Sequence, residues 1–329
     1  MKAKLSHLLQ KREVTLGMLI AFLILVILTR SPQFMAPNNV LRILDDTSIL
    51  VMVGIGQFMV ILTGGIDLSV GSIIAFSGMA ASMINQYYPG TPVVLVLFAG
   101  MAIGLILGAI NGVLVAVGKV PPIITTLGTM SVFRGFTFVL SKGQWVTAHE
   151  MTQGFMNLPQ GRFLGVTNLI WSAVIVSLVL YYFMTYSRTG REIYAIGGNK
   201  TAALFVGVSE KKINLLIFSF NGLLCGLAGV MWTSRYAAAV NETATGFELQ
   251  TVAACVLGGV SVAGGSGAVP GVILGALFLG ILNNALPVAN LSPFYQMGLQ
   301  GLIVLSAMVV NSLSEKRNEK KLLKRRLEV

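Results

Sequence analysis

Charged residues are scarce in this sequence of 329 residues. Asp, Glu, Lys and Arg make up 11% of the chain, against about 25% in ordinary globular domains. Hydrophobic residues make up 55%, and the mean hydropathy is +0.80. Apolar runs approach the length of about 20 residues that a helix needs to cross a bilayer. Together these features exclude an ordinary soluble domain and predict an integral membrane protein.

Histidine and cysteine are also rare, and so are carboxylates within the apolar segments. The two histidines, His7 and His149, are predicted on opposite sides of the membrane, and the two cysteines lie in apolar segments. No spacing of His, Cys or Glu is typical of a metal site, and no Walker A motif is present. The sequence therefore predicts no catalytic residue, no metal site and no cofactor bound by this chain.

Basic residues exceed acidic ones, with a formal net charge of +11, and they concentrate in three blocks. The blocks are residues 1–13, 187–212 and 314–329, and apolar segments separate them. This distribution argues against a nucleic-acid partner. Because cytoplasmic loops are rich in Lys and Arg, all three blocks are predicted in the cytoplasm. The chain is then a multi-pass protein of the bacterial cytoplasmic (inner) membrane, in contact with lipid, with both termini cytoplasmic.

Hydropathy predicts about ten transmembrane helices and therefore an all-α fold. One transmembrane domain is expected over residues 14–313, between the 1–13 lead and the 314–329 tail, with a short interfacial helix at Asn38–Leu44. Some segments are short or glycine-rich, as expected of helices that are broken inside protein. The predicted spans are 14–29, 47–63, 69–86, 92–118, 122–141, 168–186, 213–233, 248–264, 268–287 and 295–313.

A glycine-flanked carboxylate interrupts the second and third spans, in the stretch Gly64–Ser72. Glycine permits positive φ and Asp bonds to nearby backbone, so the stretch fits a tight turn. It also fits a break at membrane depth, where Gly64, Gly65, Asp67 and Ser69 line or gate a polar path. A second glycine-rich break at 258–267 supports the latter, because paired interruptions mark transport paths.

Other polar residues lie within the predicted spans, and two roles are open for them. They either contact a polar solute along the path or hydrogen-bond one helix to another. The candidates are Gln57, Asn111, Asn221, Asn283 and Asn284.

Two loops are long enough to be more than connectors. The external loop 142–167 is either a surface for a partner protein or an interfacial aromatic anchor. Its candidate contacts are Trp145 and Glu150, together with Glu248 at the mouth of a later span, which alternatively caps a helix end.

The cytoplasmic loop 187–212 is predicted to contain a short helix, Lys200–Val206, with Asn199 as its N-cap and Gly207 as its end. A helix this short is not stable alone. It therefore packs against a partner protein or lies on the membrane surface. Its apolar face is formed by Ala202, Ala203, Leu204 and Phe205.

Several stretches resemble the permease subunits of bacterial ABC importers for monosaccharides, the ribose-permease family, whose members include carriers of ribose, galactose, xylose, rhamnose and autoinducer-2. The basic C-terminus agrees with this resemblance. The matching stretches, in the family's order, are GGIDLSVGS at 64–72, PPIITTLGTMSVFRG at 121–135, GREIYAIGGNKTAALFVGV at 190–208 and AACVLGGVSVAGGSG at 253–267.

The resemblance implies a transmembrane subunit that pairs with a second copy or a sibling permease. It also implies two cytoplasmic ATP-binding subunits, or one fused double ATPase, which bind ATP and Mg, and an extracytoplasmic solute-binding protein. By position, the family's coupling helix corresponds to Asn199–Val208, with Arg191, Gly197 and Gly198 leading into it. Within that stretch, the matching residues are Asn199, Ala202, Ala203, Phe205 and Gly207.

The expected function is ATP-driven import of a sugar or sugar-like solute by alternating access. The alternatives are a secondary transporter or channel that works without an ATPase, and an intramembrane enzyme. A proton-driven carrier needs carboxylate or histidine relays inside the membrane, and the spans offer Asp67, with Glu248 at an edge. An enzyme needs a carboxylate pair or a metal, and the spans contain neither.

Overall fold

The computed structural model describes residues 12–288 and isolated positions between 295 and 309. The described part is mostly helical, as predicted. Its helices are α1 (Arg12–Arg30), α2 (Pro37–Leu62), α3 (Val70–Tyr87), α4 (Val93–Ala116), α5 (Pro122–Ser141), α6 (Gln153–Gln160), α7 (Asn168–Tyr186), α8 (Arg188–Gly198), α9 (Lys200–Phe205), α10 (Glu210–Tyr236), α11 (Phe247–Leu257) and α12 (Val269–Val288).

Two small antiparallel β-ladders, which were not predicted, lie in the loops. Strand β1 (Val146–Thr147) pairs with β4 (Ala238–Ala239), and β2 (Arg162–Phe163) pairs with β3 (Val166–Thr167). The first ladder ties the 142–167 loop to the connection between α10 and α11. Short 3-10 turns occupy Pro32–Met35 and Ala148–Glu150.

Seven of the described helices are long and apolar enough to cross a membrane: α1, α2, α4, α5, α7, α10 and α12. Helix α3 has 18 residues, 13 of them buried, and α11 has 11 residues. A helix of 11 residues spans about 16 Å, roughly half of a bilayer core. Nine of the ten predicted segments thus contain a helix, and the predicted span 295–313 lies largely outside the described residues.

Two predicted boundaries were wrong. The predicted interfacial helix at Asn38–Leu44 is the first part of α2, which starts with Pro37 and continues without a break to Leu62. Asp46 is accommodated inside this helix because it forms an ion pair with Arg235 at 2.6 Å. Helix α11 ends at Leu257, well before residue 264, because a run of glycines with positive φ follows it, which favours a turn over a helix.

Helix α10 is at the centre of the bundle and packs most extensively against α4. Glycines make this close approach possible. A methyl group on Gly104 would overlap the carbonyl oxygen of Gly222 and lie 2.7 Å from the Cα of Gly226. Small residues at helix contacts are the usual means of close packing in membranes. This packing brings Asn111 of α4 and Asn221 of α10 into the same buried region.

Candidate functional site

The connection between α2 and α3 folds back into the bundle. Gly64 takes a φ of +80°, and Asp67 in the connection is fully buried. One carboxylate oxygen of Asp67 accepts hydrogen bonds from the amide and the hydroxyl of Ser69, at 2.8 and 2.6 Å. The other accepts from the Asn221 side chain at 2.9 Å. The carboxylate therefore joins the connection to α10.

Two further side chains complete this group. When the Gln57 amide is oriented by its hydrogen-bond partners, it donates to the carbonyl of Asp67 at 3.2 Å and accepts from the backbone N–H of Asp67 at 3.1 Å. The Asn111 side chain donates to the Ser69 hydroxyl at 2.8 Å. We call these five residues, Gln57, Asp67, Ser69, Asn111 and Asn221, the Asp67 cluster. All five are fully buried, so their bonds hold helices and connection together in this conformation.

Asn283 and Asn284 lie elsewhere, on α12. The Asn284 side chain donates to the carbonyl of Gly280 in its own helix at 3.0 Å. Gly280 packs against Thr47 of α2. Thr47 lies about 15 Å of helix before Gln57, so this end of α2 is distant from the Asp67 cluster. The sequence did not distinguish this pair from the residues of the Asp67 cluster.

The N-termini of α3 and α11 meet inside the bundle. A methyl group on Gly71, at the start of α3, would overlap the carbonyl oxygen of Ala244 and lie 2.7 Å from a carboxylate oxygen of Glu248. Glu248 is in the first turn of α11. A carboxylate at a helix N-terminus is favourable because of the helix dipole. The position therefore favours the helix-end role of Glu248 over contact with an external protein.

The depth of Glu248 follows from its helix. Cys255 of α11 contacts the carbonyl oxygen of Gly54 at 3.3 Å. Gly54 is about 12 Å of helix from Leu62, and Glu248 is about 10 Å of helix from Cys255. The approach of its carboxylate to buried Gly71 places Glu248 inside the bundle. The guanidinium of Arg134 lies nearby and donates to the carbonyls of Asn241 and Thr243, both at 2.8 Å, which explains how an arginine is accommodated within α5.

The second break, at 258–267, meets the end of α2 and the 187–212 loop. The Gly265 amide donates to the carbonyl of Leu62 at 2.9 Å. A methyl group on Gly197 of α8 would overlap this same carbonyl oxygen and lie 2.5 Å from the Gly265 nitrogen. We call Leu62, Gly197 and Gly265 the glycine junction. It places α8 in direct backbone contact with the end of α2, just before the first break, and with the second break.

Tyr194 of α8 strengthens this contact. Its hydroxyl donates to the carbonyl of Gly267 at 2.9 Å, and its ring packs edge-on against Phe58 with centroids 6.5 Å apart. Burial raises the pKa of the Tyr194 hydroxyl, so the donor stays protonated. Helix α8 was not predicted from the sequence, and the signal available for it was Ser187, whose side chain caps it by accepting from the amide of Gly190. Arg191 of α8 donates to the carbonyl of Tyr186 at 3.1 Å.

The short helix predicted in the 187–212 loop is confirmed as α9, Lys200–Phe205, one residue shorter than expected. The side chain of Asn199 caps it by accepting from the Ala202 amide at 2.9 Å, and Gly207 follows it with a φ of +85°. Ala203 is buried, whereas Phe205 is 87% exposed. The helix thus presents apolar surface that no described part of this chain covers.

In the 142–167 loop, Glu150 is held by hydrogen bonds from the loop itself and from α3. One oxygen of Glu150 accepts from the backbone and hydroxyl of Thr147, and the other accepts from Gln86 at 2.7 Å. These bonds anchor the loop to α3. Trp145 remains 58% exposed. Among the described residues, no cluster of His, Cys, Asp and Glu has the size needed to hold a metal ion.

The family model for the permease component of branched-chain amino acid transport systems matches residues 39–308, which include both breaks and the α8–α9 loop. The chain belongs to this permease family. It is therefore a multi-pass protein of the inner membrane and a transport subunit rather than an enzyme. No solved structure matches it.

Named relatives of this permease align along nearly its whole length. The ribose import permease of Escherichia coli K12 is 40% identical over 300 residues, which cover 89% of this chain and 92% of the relative. The D-allose transport permease of the same strain is 36% identical over 299 residues, covering 91% of both chains. The L-arabinose ABC transporter permease of Azospirillum brasilense is 34% identical over 310 residues, covering 94% of this chain and 90% of the relative.

Proposed function

We propose that this permease is the membrane channel of an ATP-driven importer for a sugar or sugar-like solute and works by alternating access. Three relatives named for ribose, D-allose and L-arabinose support the substrate class. The proposed topology has ten crossings within residues 14–313, with the lead and the basic tail both cytoplasmic. Its proposed partners are a second permease, two ATPase domains and an external solute-binding protein.

The glycine junction is the observation that carries this proposal. In it, α8 of the cytoplasmic loop touches the end of α2 and the second break through backbone atoms, without an intervening side chain. A displacement of α8 therefore has to move both interrupted segments. Broken helices at the centre of a membrane protein are the elements around which transporters alternate access. The loop is thus suited to transmit a cytoplasmic event to the translocation path.

Helix α9 is proposed as the ATPase contact. It follows α8 directly, and its Phe205 and the following Val206 are 87% and 80% exposed. Large apolar side chains exposed to this degree beside a cytoplasmic loop are typical of an interaction site. Force applied by the ATPase at α9 would reach the glycine junction through α8. Arg191, Gly198, Asn199, Ala202, Ala203 and Gly207 form or cap these two helices.

The remaining roles follow from position. We assign the Asp67 cluster to holding the first break, and Gly64 and Gly65 to the turn that lets it move. The 142–167 loop, with exposed Trp145, is assigned to docking of the binding protein, whereas Glu150 shapes that loop. The secondary transporter or channel remains the alternative, and it predicts solute uptake by this chain alone in proteoliposomes.

The ATPase contact can be tested with Phe205→Asp. The side chain is almost fully exposed, so the substitution should leave folding intact while it removes the apolar contact and adds a charge. We expect co-purification of the ATPase to fall at least about tenfold, since loss of one buried aromatic anchor costs 2 kcal/mol or more. Leu164→Asp is the matched control because Leu164 is 79% exposed but lies in the external loop. Equal ATPase recovery from both variants would refute the assignment.

A further inference from the structure

A polar cavity of about 540 Å³ lies where the first break meets the cytoplasmic loop. The end of α2, the connection between α4 and α5, and the starts of α9 and α10 surround it. The proposed function assigns it no role. Its principal polar lining residues are Thr63, Lys119, Lys200, Glu210, Lys211 and Asn214.

The cavity has an excess of positive charge. Lys200 forms an ion pair with Glu210 at 2.7 Å. Lys119 and Lys211 form no ion pair with any residue that the structure describes. Both lysines are exposed to solvent and line the same cavity, and two like charges near each other are unfavourable. The cavity therefore has two cationic groups available to a ligand.

A side-chain amide that makes no hydrogen bond within residues 12–288 lines the same cavity. It belongs to Asn214 of α10, which is 8% exposed. The polar atoms of this side chain are not themselves enclosed, so the amide is open to the cavity. The amide supplies two N–H donors, which suit an oxygen-rich ligand.

The backbone of the α4–α5 connection is unusual where it supplies one of the lysines. Lys119 has a φ of 55°, in the left-handed region that a residue other than glycine seldom adopts. Such conformations persist where the surrounding structure imposes them, and they concentrate at ligand sites. The left-handed backbone at Lys119, the two lysines without an ion pair and the Asn214 amide all line one cavity.

We propose that this cavity binds a phosphate-type anion, held by Lys119 and Lys211 and by the side-chain amide of Asn214. Lysine ammonium groups bind phosphate as point charges, and phosphate oxygens accept from an amide. The ligand is either the headgroup of an anionic lipid, which basic pockets at the cytoplasmic leaflet bind, or a free phosphate group. Only the location on the cytoplasmic side rests on the proposed function.

A bound anion would contact elements that lie next to α9 and the first break, which the proposed mechanism moves. Lys200, which also lines the cavity, begins α9, and Gly64 in the cavity wall belongs to the first break. The ligand would therefore join α10 and the α4–α5 connection beside both elements. Binding should raise the thermal stability of the transporter.

The test uses the transporter purified with its ATPase in a non-ionic detergent. Inorganic phosphate and a short-chain phosphatidylglycerol are titrated separately at constant ionic strength, with the unfolding temperature as the readout. Each lysine is expected to contribute about fivefold in affinity, by the usual energy of a basic residue near anionic lipid. The pair K119Q/K211Q should thus weaken binding about 25-fold, whereas K212Q, one residue away and outside the cavity lining, should change it less than twofold.

Asn214→Leu separates a defined site from general attraction, because it keeps every charge. We expect it to weaken anion binding several-fold as well. Tighter binding of phosphatidylglycerol than of phosphate identifies a lipid site, and equal binding identifies a phosphate site. The proposal is overturned if neither anion stabilises the protein, or if K212Q weakens binding as much as K119Q/K211Q. It is also overturned if the anion binds only after removal of the ATPase, because a protein contact then fills the cavity. Failure of the Phe205 test would leave these titrations unchanged.

Discussion

The glycine junction makes the substitution Gly197→Ala a direct test of transmission. The added methyl group would overlap the carbonyl oxygen of Leu62 and approach the Gly265 nitrogen to 2.5 Å. Both are backbone atoms, so neither can rotate away. The hydrogen bond from Gly265 to Leu62 at 2.9 Å must also lengthen. Helix α8 therefore has to move away from the end of α2 and from the second break.

The size of the effect follows from three terms. Overpacking costs about 1–3 kcal/mol, and the weakened hydrogen bond costs about 1 kcal/mol. The higher helix propensity of alanine offsets about 1 kcal/mol. The glycine junction is thus destabilised by about 2 kcal/mol. This changes the ratio of molecules with the junction formed to molecules with it broken about 30-fold.

Gly198→Ala is the matched control, since a methyl group on Gly198 meets no atom within 4 Å. The assay measures solute uptake per ATP hydrolysed in proteoliposomes that contain the complete transporter. We expect Gly197→Ala to lower this ratio at least fivefold while the ATPase stays bound, and Gly198→Ala to leave it unchanged. Equal ratios for the two variants would show that the junction does not transmit force.

Two further predictions concern the interior. Asp67→Asn replaces an oxygen that accepts hydrogen bonds by an NH₂ group, so at least one donor of the Asp67 cluster loses its partner, at a cost of about 1–3 kcal/mol. We expect a lower unfolding temperature and reduced uptake, and wild-type values for both would return Asp67 to the status of a turn residue. Gly104→Leu places a side chain against the backbone of α10 and should reduce the yield of folded protein strongly. Gly128→Leu is its control, because a Cβ at Gly128 meets no atom within 4 Å; equal yields, measured by size-exclusion chromatography, would contradict the packing argument.

The order of the apolar segments was predictable because burial in lipid requires long hydrophobic runs that composition reveals directly. Helix α7 lies at the predicted residues 168–186. Helix α9 was also predictable, because Asn199 and Gly207 act on their immediate neighbours. The glycine-rich stretch at 64–72 was correctly read as an interruption between two helices. In each case the decisive interactions are local, so the sequence contains them.

Other features depend on residues that are distant along the chain. The sequence presented Asn221 and Asn284 as equivalent polar residues, and only the packing of α10 shows that Asn221 reaches Asp67. Continuous helix through Asp46 required Arg235, 189 positions away.

Sequence alone determined the membrane class, the family resemblance, most helix positions and the two interruptions. Tertiary structure alone decided that Gly197 touches the end of α2 and the second interruption, and that Lys119, Lys211 and Asn214 share a cavity. Hydropathy and capping depend on the residue and its neighbours, whereas these contacts depend on how closely the glycines allow the helices to approach.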